Sequence, residues 1–261
     1  MTTGNQRPTG GIGAVIIGDE IMLGRREEQH FPRLVALLAA RGLRLDWALF
    51  LGDDRQRLVD TFRRTLAGDD LVFSFGGIGN TPDDHTRQAV AAAAGVELEL
   101  HAEAAREIRA RFAGTGREMN DEVLGMGRFP SGSRIIPNPC NRIPGFSFAH
   151  HHFVPGFPQM AWPMVEWVLD TGYRDRFHRE ARAEAAIRVW EGVESVLAPL
   201  MRRVEVEYPG VKVFSLPSLG SESVGRHVEL GVRGLPEQVP AAMALIREQV
   251  AALGCRFTPR D

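Results

Sequence analysis

The run Phe73-Ser74-Phe75-Gly76-Gly77-Ile78-Gly79-Asn80-Thr81-Pro82-Asp83-Asp84-His85-Thr86 joins groups that ordinarily keep apart. Glycines after an apolar, strand-like stretch let main-chain N–H groups turn toward a ligand, and a helix starting just beyond adds its positive end. Phosphate is the natural guest of such a turn. Two adjacent carboxylates, Asp83 and Asp84, would repel it. A divalent cation held between the acids and the ligand oxygens removes the conflict, so a metal-assisted phosphate-ester site with Mg²⁺ or a similar ion is the expected chemistry. Helix capping explains part of the same string: Thr81 reads as N-cap, Pro82 as the first helical residue, and the acids as first-turn partners of the dipole. Capping accounts for one acid and leaves Gly76-Gly77-Ile78-Gly79 unexplained.

Ligands of open parallel sheets collect outside the carboxyl ends of the strands, and Gly18-Asp19-Glu20 ends another apolar run, so the two acidic loops are expected to face one crevice. Asp53-Asp54 falls at a third such end, but an acidic helix start before Arg55 and Arg57 is the simpler reading there. His150-His151-His152 offers only two same-face histidines with no Glu or Cys at diagnostic spacing, so a polar strand edge or a substrate-contacting loop is expected rather than zinc. Pro155-Gly156-Phe157-Pro158 stops a strand, starts a helix and is placed to wall the pocket. No Gly-x-x-x-x-Gly-Lys-Ser/Thr loop or Gly-x-Ser-x-Gly elbow occurs, and Gly11 and Gly13 precede their strand instead of following it.

The elements that must position these loops follow from periodicity. Ile12 to Ile17, Leu45 to Leu51 and Asp70 to Phe75 read as strands. Helical faces lie between them, one on Phe31, Leu34, Val35 and Leu38 and one on Leu58, Val59, Phe62 and Leu66. The alternation predicts a parallel α/β sheet. Helices over 84–94 and 102–112, a strand over 134–136, a hairpin or extended strand over 146–154 and a helix over 157–169 complete that domain. The expected organisation is a flexible tail over 1–10, an α/β domain over 11–170, a charged connector over 171–183 and a small α+β domain over 184–261.

The 261 residues carry a net charge of −2, so no long-range field points to nucleic acid or an anionic membrane. Gly231-Val232-Arg233-Gly234 matches the Gly-x-x-Gly string of one RNA-binding fold, but it follows a strand-like run instead of joining helices, so nucleic acid is not an expected partner. No apolar run approaches the roughly 20 residues that cross a bilayer, and Cys140 and Cys255 lie far apart. Together with a polar start at Met1 to Gly10, these features fit a reducing cytoplasm.

Four ordered segments carry a resemblance. Gly18-Asp19-Glu20-Ile21-Met22-Leu23-Gly24, the Gly76 to Thr86 loop, Asn138-Pro139-Cys140-Asn141-Arg142-Ile143-Pro144-Gly145 and Pro155-Gly156-Phe157-Pro158-Gln159-Met160 together resemble the molybdopterin-binding domain family, especially its competence/damage-inducible protein A branch. The tail from about Glu180 resembles, in pattern only, the small α+β module that follows this domain there. The nicotinamide-mononucleotide deamidase domain of longer relatives has no counterpart in the sequence. The resemblance implies a three-layer α/β sandwich with a mostly parallel sheet, usually oligomeric, binding a pterin phosphate such as molybdopterin or a nucleotide diphosphate. In the competence-type branch it implies a divalent-metal-dependent nucleotide pyrophosphatase acting on substrates such as ADP-ribose. A molybdopterin-binding protein of molybdenum cofactor biosynthesis without hydrolase activity is the alternative. Carried onto this chain, Asp19, Glu20 and Asp84 become metal ligands, with Asp84 and its neighbour Asp83 catalytic. Gly76, Gly77, Gly79, Asn80, Thr81, Thr86, Pro155 and Gly156 become ligand-binding residues. The sequence departs from the branch at Glu28-Gln29-His30, where relatives usually carry aspartate, a small residue and asparagine, and at Ile78, where molybdopterin enzymes tend to have threonine.

Overall fold

The computed structural model describes residues 10–113, 119–179, 183–220 and 225–260. Residues 1–9 of the expected tail and 180–182 of the expected connector lie outside them. The chain divides after His178 into two compact units.

The first unit runs β1 (Ile12–Ile17), α1 (Asp19–Met22), α2 (His30–Ala39), β2 (Trp47–Leu51), α3 (Arg55–Leu66), β3 (Leu71–Phe75) and α4 (Thr86–Ala94). It continues through β4 (Leu98–Leu100), α5 (Ala102–Phe112), α6 (Asp121–Gly125), β5 (Arg128–Pro130), β6 (Arg134–Ile136), β7 (Gly145–Phe148), β8 (His151–Val154) and α7 (Pro158–Gly172). Six strands form one sheet in the order β2-β1-β3-β8-β7-β6. The first four are parallel, and β7 and β6 add an antiparallel margin.

β1 shows why the sheet must be covered twice. Every residue in it is buried: Ile12, Ala14 and Ile16 enter a cluster with Leu34, Leu38, Val165 and Leu169 of α2 and α7, whereas Val15 and Ile17 meet Leu58, Phe62 and Val90 of α3 and α4. Successive strand side chains point to opposite faces, so this continuous apolar run demands a helical layer on each side. Each fully buried leucine or phenylalanine contributes on the order of 1.5–3 kcal/mol relative to exposure. The outcome is a three-layer α/β sandwich.

Three local expectations change. The buried face of α2 consists of His30, Leu34, Leu37 and Leu38, and Phe31 and Val35 are each 40% exposed, with Phe31 lying near Phe50 of β2 instead of in the core. The helix after the glycine loop begins at Thr86 behind His85, not at Pro82, because Asp84 is drawn back into the loop. The histidines make no polar edge: β8 lies between β3 and β7, and His151 and His152 are 1% and 3% exposed. His151 Nε2 lies 2.9 Å from Thr65 Oγ1, while His152 bridges Ser147 Oγ (2.7 Å) and the Tyr173 hydroxyl (2.8 Å). These partners let two imidazoles sit in a core. Burial, helped by repulsion from the neighbouring histidine, pushes each down to about 3.

The second unit runs β9 (Ala183–Trp190), α8 (Glu194–Glu207), β10 (Val211–Ser218), β11 (His227–Gly234), α9 (Val239–Ala252) and β12 (Phe257–Pro259). Its antiparallel sheet has the order β10-β11-β9-β12, the split β-α-β arrangement. Ile187, Val189, Leu230 and Val232 pack on Leu197, Leu200, Met243 and Ile246 of the two helices. The Gly-x-x-Gly string is accounted for by packing: a Cβ on Gly231 would lie 2.4 Å from Phe214 Cζ, and one on Gly234 would lie 2.1 Å from the Gly210 carbonyl oxygen. Along the edge strand β10, Val211, Val213, Ser215 and Pro217 turn away from β11. Val211 N–H donates to the Tyr208 carbonyl, Val213 N–H donates to Glu205 Oε1, and Pro217 has no N–H to offer. Among the described residues no helix is long and apolar enough to cross a membrane.

Candidate functional site

The switch point of the parallel sheet lies between β1 and β3, whose following connections leave toward opposite sides. Gly76 makes the junction possible: its φ is 97°, and a Cβ there would stand 2.3 Å from the Ile17 carbonyl oxygen. Gly156, after β8, lies against Gly76, a Cβ on it falling 3.4 Å from Gly76 Cα. Around these ends opens a cleft of about 400 Å³, within the range of small-molecule sites.

One wall is the glycine loop, Gly76 to Thr81, with Asp83 and Asp84. Gly18 and Glu20 come from the end of β1 and the short α1 that follows it, Asp53 from the loop after β2, and Pro155, Gly156 and Phe157 from the turn after β8. Ile143, Pro144, Met126 and Met160 add apolar lining, and Arg26, Asn138 and Asn141 add polar groups. Two expected site residues stand apart. Asp19 faces a neighbouring groove that shares Asp53 and Asp83 with the cleft, and Thr86 is buried, its hydroxyl donating to the Gly76 carbonyl at 3.1 Å.

Hydrogen bonding assigns the loop its chemistry. Asp84 Oδ1 accepts from Gly79 N–H and Oδ2 from Thr81 N–H, both at 2.8 Å, and the Thr81 hydroxyl donates to the same carboxyl. Asp84 therefore binds the loop to itself. The amides of Gly77, Ile78 and Asn80 have no intramolecular acceptor among the described residues. Behind them sits Arg87, only 6% exposed, donating to the Gly125 carbonyl at 2.7 Å and to the Gly79 carbonyl. Its Nε has no partner, and no carboxylate lies within ion-pair distance among the described residues. Burial lowers its pKa, and only the Coulombic pull of Asp84 opposes that. A buried cation behind open amides favours an anion.

The acids are mutually engaged. Asp53 Oδ2 accepts from Asp19 N–H at 2.8 Å and Asp19 Oδ1 from Asp53 N–H at 3.2 Å, while Glu20 pairs with Arg26 at 3.2 Å. Desolvation raises the Asp53 pKa, and the nearby charges of Asp19, Asp83 and Glu20 add to it, against the Asp19 amide. No group of three or more His, Cys, Asp or Glu converges in metal-binding fashion among the described residues. The loop's hydrogen bonds take up one lone pair of Asp84 Oδ1 and both of Oδ2, and Asp19 lines the neighbouring groove instead of the cleft.

The sequence undervalued Asp53. The adjacent Asp54 caps α3, accepting from Arg57 N–H at 2.7 Å, and this helix-start role hid the fact that Asp53 turns into the cleft. Its place after a strand end was the available signal. Arg87 had none, since a basic residue in a first helical turn reads as exposed surface.

The family described as "Probable molybdopterin binding domain" matches residues 13–174. That span contains every strand end around the cleft. The chain belongs to the molybdopterin-binding domain family. Several relatives are CinA-like: a "CinA-like protein" of Anaeromyxobacter sp. (strain Fw109-5) is 38% identical over 92% of this chain and 64% of its own length. A protein of Pyrobaculum arsenaticum is 27% identical over 92% of both chains. The crystal structure of CinA from Thermoplasma acidophilum, 24% identical, superposes with a TM-score of 0.55 over 61% of this chain and 96% of that one, a likeness of fold. This molybdopterin-binding-domain protein thus carries its cleft wholly inside the part that defines the family.

Proposed function

We propose that the cleft binds a phosphorylated small molecule of the pterin or nucleotide class, molybdopterin being the pterin expected for this family. The carrying observation is the set of unpartnered amides at Gly77, Ile78 and Asn80 in front of the buried, unpaired Arg87. In this reading those amides receive the phosphate oxygens and Arg87 supplies the opposing charge. Phe157, Met160, Ile143 and Pro144 offer apolar contact to a flat ring. Asp84 acts as the clasp that presents the amides. Met22 and Phe50, both exposed in the neighbouring groove, support self-association of that side of the unit. The two free cysteines, Cys140 and Cys255, support a reducing compartment such as the cytoplasm.

A second reading, hydrolysis of nucleotide pyrophosphates such as ADP-ribose with a divalent cation, is favoured by one observation. The raised pKa of Asp53 marks a crowd of carboxylates beside the proposed phosphate cradle. One experiment separates the two. Purified protein is titrated with pyrophosphate, AMP, ADP-ribose, FAD and isolated molybdopterin, with and without Mg²⁺, Mn²⁺ or Co²⁺, following both equilibrium binding and AMP release. Saturable binding without AMP supports the pterin or nucleotide carrier, AMP release dependent on a cation supports the pyrophosphatase, and no saturable binding of any phosphate ester removes both.

A further inference from the structure

The second unit has helices on one face of its sheet and, among the described residues, none of its own elements on the other. Register fixes what that bare face presents: Arg188 and Trp190 from β9, Phe214 from β10, and His227 and Arg233 from β11. Trp190 and His227 are cross-strand partners with ring centroids 5.3 Å apart, and Arg256, preceding β12, holds its guanidinium 5.6 Å from the Trp190 ring centre. Phe214 reaches across the middle of the sheet because Gly231 beneath it has no side chain. Four residues of strand separate the Trp190 row from the Phe214 row, about 13 Å at the usual rise. The face therefore carries two separate aromatic platforms.

Its charge is equally sorted. Arg260 pairs with Glu184 at 3.1 Å and with Glu229 at 2.9 Å, the two acids that β9 and β11 place on this face, and Lys212 approaches Glu205 at 3.8 Å. Arg188, Arg233 and Arg256 are left without an acid among the described residues. The near-neutral balance of the whole tail conceals this arrangement: among the described residues Glu194, Glu205 and Glu207 lie on α8, Glu248 on α9 and Glu237 ahead of α9, while Glu191 follows Trp190 at the end of β9.

We infer that this face is a binding surface for single-stranded nucleic acid, with bases stacking on Trp190 and Phe214 and phosphates meeting Arg188, Arg233 and Arg256. Unpaired bases expose π-faces that fit such rings, and guanidiniums both stack and neutralise phosphate; a duplex hides its bases and offers the rings nothing. An apolar protein partner would leave three cations to be desolvated without compensation.

The test uses the full chain and a fluorescein-labelled ten-nucleotide RNA, its DNA equivalent and the matching duplex, with anisotropy read across a salt series. Either single strand should bind with a dissociation constant of roughly 10⁻⁴–10⁻⁶ M or tighter, weakening as salt rises. Trp190→Ala should weaken binding by roughly 5- to 150-fold. Arg233→Glu, at an exposed position, should reduce the slope of log K against log salt by about 0.7 or more. Arg202→Glu on α8 makes the same charge change on the helical side and should alter nothing. Circular dichroism of each variant checks folding. The proposal fails if the chain ignores both single strands at low salt, binds duplex as well as single strand, or responds to Arg202→Glu as to Arg233→Glu. It fails equally if sedimentation shows a dimer that Trp190→Ala dissociates.

Discussion

Asp84 illustrates how a residue that reads as catalytic can serve as architecture. Its two oxygens take three hydrogen bonds from Gly79 and Thr81, so the loop closes around its own anion while the amides of Gly77, Ile78 and Asn80 keep no acceptor among the described residues. Hydrogen bonds to a charged acceptor are worth about 1.5–3 kcal/mol each. Asp84→Ala is therefore expected to weaken pyrophosphate or AMP binding at least tenfold while thermal unfolding of the first unit stays cooperative, a pairing that calorimetry and titration of one sample would check. The buried histidines lead to a second prediction. His151 and His152 take protons near pH 3 when folded and near 6.5 when unfolded. Between those values the unfolded chain binds more protons, so stability falls as pH falls, by up to about 1.4 kcal/mol per pH unit for each histidine. Urea midpoints measured from about pH 6 to pH 4 should show that slope, and His151→Leu should roughly halve it. The sequence displayed both residue types but not their partners, since Thr65 and Tyr173 reach the imidazoles only through the tertiary fold.

At the level of elements, the glycine loop, the acids after β1 and the strand-helix alternation were legible because apolar runs and glycine stops are local signals. β1, α3, β3 and α5 form where periodicity places them. What failed was whatever depended on competition between neighbours. Thr81-Pro82-Asp83-Asp84 has the residues of a helix start, yet Asp84 gains more from the loop amides, and helix α4 begins at Thr86 instead. Phe31 and Val35 fit the helical period of α2, but the covered stripe lies one position round, where Leu37 and His30 meet the sheet. Asp54, by contrast, caps α3 as its type suggests, and Asp54→Ala should cost about 0.5–2 kcal/mol of stability, read from urea unfolding of the intact chain.

Across the whole molecule, the two units have separate apolar cores: α2, α3, α4 and α7 cover the six-stranded sheet, and α8 and α9 cover the four-stranded one. Each has the interior a folding unit requires. A chain ending at His178 is thus expected to fold and to retain phosphate-ligand affinity within a factor of about two, measured by circular dichroism and titration. Net charge, the coarsest whole-chain property, says nothing of how acids and bases divide between the faces of the second unit's sheet, because summing over residues erases that arrangement.

The margin at β10 has a consequence for crowded conditions. With one outward amide satisfied by Tyr208, another by Glu205 and a third replaced by a proline ring, an approaching strand from a neighbouring molecule meets no continuous row of donors to template on. Concentrated preparations should be spared fibril growth from that border, and any heat-induced clumping has to begin elsewhere.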